Sequence, residues 1–233
     1  MHHWSSFQSC WLRRPRFRQR DDDVAEPAPA WADSKKKSLQ ASERQRPDVV
    51  RARELFAQRR QRWRKRRLWF VDESGVNLAL TRTTGWAPRG ERLVDHVPGR
   101  RWETFSIIAV LSLDGVHAPL LLPGAMNTEA MRVWTREFLV PLLRDGDIVL
   151  WDNLGIHTDF EVRLAVEAAG ARLEFLPPYS PDLELAWSKA KAVLRKLGAR
   201  TWCRLVNSVG DALHAVTQTD AAGWFRHCGY ACP

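Results

Sequence analysis

Ile148-Val149-Leu150-Trp151-Asp152-Asn153 reads as a short strand that ends in a carboxylate, and it decides the fold. Four consecutive apolar residues are too few for a helix and, after Gly146, predict a strand covered on both faces. Leu68-Trp69-Phe70-Val71-Asp72 repeats the arrangement upstream, with a buried strand over Leu68 to Val71 and an aspartate at its end.

The segments between and beyond these strands follow from turn and cap signals. Asn77 to Leu80 and Glu91 to His96 flank the turn-rich Thr84-Gly85-Trp86-Ala87-Pro88-Arg89-Gly90, which predicts a second strand and its return. Thr104 to Leu113 reads as a third strand, and Asp114-Gly115 as a hairpin turn into Val116 to Leu122. A helix starts at Asn127 or Thr128, carries Met131, Trp134, Phe138 and Leu142 at helical spacing, and bends or ends at Pro141. Thr158 and Glu161 form a capping-box pattern for a second helix, which Gly170 stops. Arg172 to Leu176 is the next strand, cut off by Pro177-Pro178. Glu184 to Leu197 is helical, with Ala186, Ala190, Val193, Leu194 and Leu197 on one face. Thr201 caps a further helix through Leu205, Val209, Leu213 and Val216, and Asp220 caps a last one through Phe225. Three antiparallel strands followed by alternating helices and strands predict an α/β domain with a mixed sheet and helices on both faces. That is the order of a ribonuclease-H-like fold.

A chain of 233 residues with 45% hydrophobic composition can bury one good core. A net charge of +9 and a pI near 9.9 point to a polyanionic partner. Arg13, Arg14, Arg16, Arg18 and Arg20 form one basic cluster; Arg59, Arg60, Arg62, Arg64, Lys65, Arg66 and Arg67 form another around Trp63. Such runs neutralise phosphates or form a solvated helical surface, and composition weighs the two equally. The four cysteines (Cys10, Cys203, Cys228, Cys232) lack the paired spacing of a zinc site and read as reduced thiols. No apolar stretch approaches the ~20 residues that span a bilayer, and Met1 to Arg20 has no apolar core of a signal peptide. A soluble, cytoplasmic chain without a membrane partner is expected. Residues 1–46 are expected to be a poorly ordered basic segment, 47–67 a basic helix or linker that starts at Pro47, and 68–233 the catalytic domain.

Carboxylates at strand ends are held on rigid elements and face the side of the sheet where sites form. If the strands of Asp72 and Asp152 are neighbours, the two can share a divalent cation that offsets their repulsion. Glu184, in the first turn of its helix, is a third hard-oxygen ligand, although a helix dipole alone would also favour it there. Such a set binds Mg²⁺ or Mn²⁺, and two ions clamp the attacking and leaving oxygens of a phosphodiester. Asn153 and His157 orient water or phosphate beside Asp152, or simply bond the loop. Arg100 and Arg101 before the third strand contact DNA or form a hairpin rim. Trp86, Trp134, Trp151 and Trp187 read as core residues.

Phe-Val-Asp-Glu-Ser-Gly at 70–75, Trp-Asp-Asn-Leu-Gly-Ile-His at 151–157 and Leu-Pro-Pro-Tyr-Ser-Pro-Asp-Leu at 176–183 resemble the DDE-type transposases of bacterial insertion sequences, in the mariner-related branch. Thr84 to Gly90 and Ala186-Trp187-Ser188-Lys189-Ala190-Lys191 support the resemblance, which covers roughly residues 35–231. It implies a ribonuclease-H-like DDE domain, two Mg²⁺ or Mn²⁺ ions, and cleavage and transfer of double-stranded DNA at element ends. Asp72, Asp152 and Glu184 match the family's catalytic, metal-binding triad. From their charge and position, Arg62, Arg64, Lys65, Arg66, Arg100 and Arg101 are the candidate DNA contacts, and a homodimer and a place at the bacterial nucleoid are expected.

Two departures qualify that picture. Residues 1–34 do not resemble the helix-turn-helix modules with which the family begins, which reads as truncation. The family pattern Pro-Asp-Leu-Asn-Pro-Ile-Glu is here Pro181-Asp182-Leu183-Glu184, three residues shorter. If the helix stays docked by Ala186, Ala190 and Val193, Glu184 keeps its place and the loop tightens. If the loop stays put, the helix rotates, Trp187 arrives where the carboxylate belongs, and Asp182 is the substitute ligand. The competing functions are therefore an active transposase, a non-catalytic DNA-binding remnant of one, and a ribonuclease-H-like nuclease.

Overall fold

In the computed structural model the described residues are 41–97, 99, 102–152, 158–178 and 184–230, the side chains of Lys65 and Glu184 excepted. The expectations for residues 1–40, Asn153, His157, Asp182, Arg100 and Arg101 fall outside them.

Five strands form one mixed sheet in the order β3-β2-β1-β4-β5. They are β1 (Leu68–Asn77), β2 (Thr104–Ser112), β3 (Gly115–Pro123), β4 (Ile148–Trp151) and β5 (Arg172–Phe175). The first three are antiparallel; β4 runs parallel to both β1 and β5. The helices are α1 (Pro47–Arg60), α2 (Thr128–Trp134), α3 (Phe160–Ala168), α4 (Glu184–Leu197), α5 (Trp202–His214) and α6 (Gln218–His227). This is the expected architecture, a ribonuclease-H-like mixed sheet between two layers of helices.

Alternation along the strands assigns the layers. Val71, Ile108, Val110, Val149 and Trp151 pack on Met131 and Trp134 of α2 and on Val162 and Val166 of α3. The other face carries Leu68, Phe70, Leu111, Ile148 and Leu150 against Phe56 of α1, Ala186 of α4 and Phe225 of α6. Further along that face, Val76, Phe105 and Ile107 meet α4 and α5 through Ala190, Leu194, Leu205 and Leu213. All four residues of β4 are buried, as a central strand with two covered faces requires.

Local chemistry corrects several expectations. Strand β1 does not stop at Val71, because β2 pairs with it as far as Asn77↔Thr104. Asp72 therefore lies inside β1, opposite Ala109. The proposed strands over 77–80 and 91–96 do not form. Beyond Asn77 the chain leaves the sheet, turns where the Glu91 N–H donates to Pro88 O at 3.0 Å, and finds no partner strand among the described residues. Trp86 on this arm is fully exposed, not core, whereas Trp134 and Trp151 are fully buried. The hairpin between β2 and β3 turns through Leu113-Asp114, with Gly115 at φ +122 just after the turn.

The caps shift in the same way. Asn127 caps α2 by accepting the Ala130 N–H, and the helix continues as a π turn (Thr135–Leu139) and a 3₁₀ turn (Val140–Leu142) around Pro141. Asp159, not Thr158, caps α3, since its carboxylate accepts the Glu161 and Val162 N–H groups. The same carboxylate takes both ends of the Arg132 guanidinium at 3.0 and 2.8 Å, which ties α3 to α2. Thr217 caps α6, and Asp220 is the third residue of that capping box rather than the cap.

Candidate metal centre

The register of the parallel ladder positions the two aspartates. Leu68, Trp69 and Phe70 pair with Ile148, Val149 and Leu150, an offset of 80 throughout. Asp72 and Asp152 share that offset, so they sit at one level on neighbouring strands, where strand spacing is about 4.8 Å. Asp152 lies one residue past the end of β4, and the ladder between β1 and β4 has already ended at Phe70↔Leu150. The two carboxylates thus stand where the parallel strands part.

Their side of the sheet follows from parity. Asp72 alternates with Phe70, and Asp152 with Leu150, both of which face the α1, α4 and α6 layer. Asp72 lines a small apolar pocket with Phe70, Ala109, Ala186 and Trp187, so α4 is the helix that covers it. Ala186, Ala190 and Leu194 are buried as expected of the docking face of α4, whereas Val193 is half-buried and Leu197, expected on the same face, is exposed. Trp187 nevertheless lies beside Asp72 in the lining of this pocket. The loop over 179–183 and the Glu184 side chain lie outside the described residues, so what is described is the docked helix with Trp187 next to Asp72. Position 184 lies one turn before Trp187 on α4, with its backbone on the same side of the helix.

A β-bulge lies beside the site. Ile108 pairs with Leu120 and Val110 with His117, which leaves Ala109 opposite two residues of β3. Ala118, one of these, takes φ +49, a conformation uncommon outside glycine. Its carbonyl accepts the Trp134 indole N–H at 2.9 Å, which anchors the bulge to α2. Ala109 is also the partner of Asp72, so the bulge adjoins the strand segment that carries the carboxylate. Sequence reasoning missed this feature, because nothing in Ile108-Ala109-Val110 or His117-Ala118-Pro119 announces a bulge.

Electrostatics single out Asp72. Burial pushes its carboxyl up to about 6, and the negative charges of Asp152 and Glu73 add to the rise. The Glu73 N–H, which donates to Oδ1 at 2.8 Å, and the Trp187 indole act in the opposite sense. A buried anion facing a second anion fits a cation between them. Two hard carboxylate donors are the right chemistry for Mg²⁺ or Mn²⁺. Among the described residues no group of three His, Cys, Asp or Glu gathers around one point.

The basic candidates lie elsewhere. Arg62, Arg64 and Arg66 are exposed in the segment before β1, near the strand starts and away from the aspartates. No helix among the described residues is long and apolar enough to cross a membrane.

A mixed five-stranded sheet with acidic residues on adjacent parallel strands defines a ribonuclease-H-like domain. Residues 67–203 match the DDE superfamily endonuclease family, and the chain belongs to it. No curated protein matches the chain by sequence. Among solved structures, it is similar to the Mos1 strand transfer complex at 18% identity and TM-score 0.64, covering 85% of this chain and 63% of that one. The Mos1 mariner paired-end complex with Mn aligns at 18% identity and TM-score 0.63, covering 85% and 64%. The catalytic domain of Mos1 mariner transposase aligns at 16% identity and TM-score 0.57, covering 82% and 92%. The paired-end complex has also been solved with Mg. The chain spans less than two thirds of the proteins in the first two structures.

Proposed function

We propose that this chain acts as the catalytic part of a DNA transposase, cleaving phosphodiesters of double-stranded DNA and transferring strands at the ends of an insertion sequence. The observation that carries the reading is the placement of Asp72 and Asp152 at one level on neighbouring parallel strands, facing α4. In this reading Asp72, Asp152 and Glu184 hold the metal, with Asn153, His157 and Asp182 in supporting positions. A bound pair of Mg²⁺ or Mn²⁺ ions supplies charge stabilisation for the attacking and leaving oxygens of an in-line displacement. Asp72 must release its proton to serve as a ligand, so protons compete increasingly with the metal as pH falls below about 6. The Glu73 N–H fixes the direction of that carboxylate, and Trp187 closes the apolar side of the pocket. Arg62, Arg64, Lys65, Arg66, Arg100 and Arg101 are the candidate DNA contacts. The chain would work in the cytoplasm, on nucleoid DNA.

A second reading is a DNA-binding remnant with a broken metal site. It is favoured by Trp187, whose side chain lines the pocket beside Asp72 where a metal would need room. Calorimetric titration with Mn²⁺ separates the two. Stoichiometric binding that disappears in Asp152→Ala supports the transposase. Binding that survives the substitution removes the proposed centre, and no binding in either protein leaves the remnant.

The reading also includes a homodimer. Its support is the arm after β1, where Trp86, Leu93 and Val94 are exposed and no partner strand lies among the described residues. Light scattering on the DNA-bound protein is expected to give two copies, reduced to one by Trp86→Ser with Leu93→Ser and Val94→Ser. An unchanged mass in that variant would remove the arm from the interface.

A further inference from the structure

Helix α1 runs against the direction of β5 and carries the chain from one end of the sheet to the other. Near its start, the Arg53 guanidinium donates to Pro178 O, just past the end of β5. Near its end, Arg59 pairs with Glu174 at 3.2 Å, and the following Arg62 and Arg64 share a cleft with Arg172, the first residue of β5. The basic run is thus delivered to the strand starts, while Asp72 and Asp152 stand at the opposite end of the parallel ladder. Asp72 lies four residue steps along β1 from Leu68, a rise of about 13 Å.

The fold adds to this pole charges that the linear cluster does not contain. The cleft of about 340 Å³ lined by Arg62, Arg64 and Arg172 adjoins one of about 530 Å³ lined by Arg66 and Arg144, and Arg67 borders both. Arg67 is engaged by Asp147 at 3.6 Å and by the carbonyl of Asp145, and Arg172 by Glu174 at 3.3 Å. Asp147 is itself buried and also accepts the Trp69 indole and the Arg144 N–H. Arg62, Arg64, Arg66 and Arg144 are exposed and have no carboxylate partner among the described residues. Guanidinium groups in such a state match phosphate oxygens in pairs.

We propose that the strand-start pole is a second nucleic-acid surface. It grips the sugar–phosphate backbone of duplex DNA at least about four base pairs from the step presented to Asp72 and Asp152, or on another duplex. The proposal rests on the reading of DNA as the partner and adds which pole holds it and through which residues. Arg144 belongs to it although it lies far from the basic run in sequence.

The test is equilibrium binding of a mixed-sequence duplex by fluorescence anisotropy across a KCl series. The variant Arg62→Ala, Arg64→Ala, Arg144→Ala is compared with a charge-matched control, Lys196→Ala, Arg204→Ala, Arg226→Ala. Loss of three phosphate contacts should make the log K against log[KCl] slope shallower by about 2–3 and weaken binding by about 100-fold at ~0.1 M salt, with the control close to wild type. An unchanged slope, or an equal change in both variants, overturns the pole as a defined surface. If the wild-type chain binds no duplex at all, the transposase reading itself fails, which is a separate outcome. All substituted side chains are exposed, and equal thermal unfolding midpoints verify that the variants are folded.

Discussion

Asp72→Asn should abolish Mn²⁺-dependent nicking of duplex DNA and, in the absence of metal, make the protein more stable. The two effects share one cause. Burial and the charge of Asp152 hold the Asp72 carboxyl at about 6, above its ordinary 3.8. Below about pH 4 the group is protonated in both folded and unfolded chains and costs nothing. As pH rises from 4 to 6, the unfolded chain releases this proton while the folded one keeps it, so stability falls. Above 6 the full penalty applies, about 1–3 kcal/mol. Asparagine never ionises, and its oxygen can still accept the Glu73 N–H. Urea unfolding in EDTA should therefore show the variant matching wild type near pH 4 and exceeding it by about 1–3 kcal/mol at pH 7.5. Nicking should fall by about 10³-fold, equivalent to losing ~4 kcal/mol of metal-borne stabilisation. A variant that is no more stable at pH 7.5 would show that Asp72 is not strained as an anion, and retained nicking would exclude it as a ligand.

Trp134→Ala carries the largest expected loss of stability, about 3–5 kcal/mol. Trp134 is fully buried, packs edge-on to Trp151 with ring centroids 6.0 Å apart, and donates to Ala118 O at the bulge. Alanine removes the volume and leaves that carbonyl without its donor. Trp134→Phe keeps most of the volume and removes only the hydrogen bond, so it should cost roughly 1–2 kcal/mol. The bulge adjoins Asp72 through Ala109. The phenylalanine variant should therefore also weaken Mn²⁺ binding, while a core change near the strand starts on the opposite end of the ladder, such as Leu173→Ala, should not. Chemical denaturation and calorimetry on the three proteins check both halves, and an equal effect on metal in the two core variants would separate the bulge from the site.

What was legible in the sequence was what depends on local pattern. The four apolar residues of β4 could only be a doubly covered strand, and Ala186, Ala190 and Leu194 could only be the buried stripe of α4. The pairing of Asp72 with Asp152 was half legible, since two strands ending in aspartate suggested it but only the ladder offset shows that they are level. The errors arose where pairing partners decide the outcome. Val71-Asp72-Glu73 looks like a strand end because Asp and Glu disfavour strands, yet β2 holds it extended to Asn77. Glu91 to His96 carries Leu93 and Val94 but has no neighbouring strand among the described residues. Asp159 displaced Thr158 as cap because an arginine on another helix rewards its carboxylate. Arg144 was invisible as a basic-surface residue, since only the fold brings it near Arg66.

Helix α1 has a bearing on where this molecule can be cut. The family signature starts at residue 67, but Phe56 of α1 is part of the same core as Phe70 and Leu150. Arg60 is lodged between the carbonyl of Cys228 and the ring of Tyr230, so the two ends of the described chain brace each other. An expression boundary drawn at the signature would strip this brace and bare an aromatic seam to water. The compact unit that holds the sheet takes in all of α1, whose first residue, Pro47, lies twenty residues before the signature.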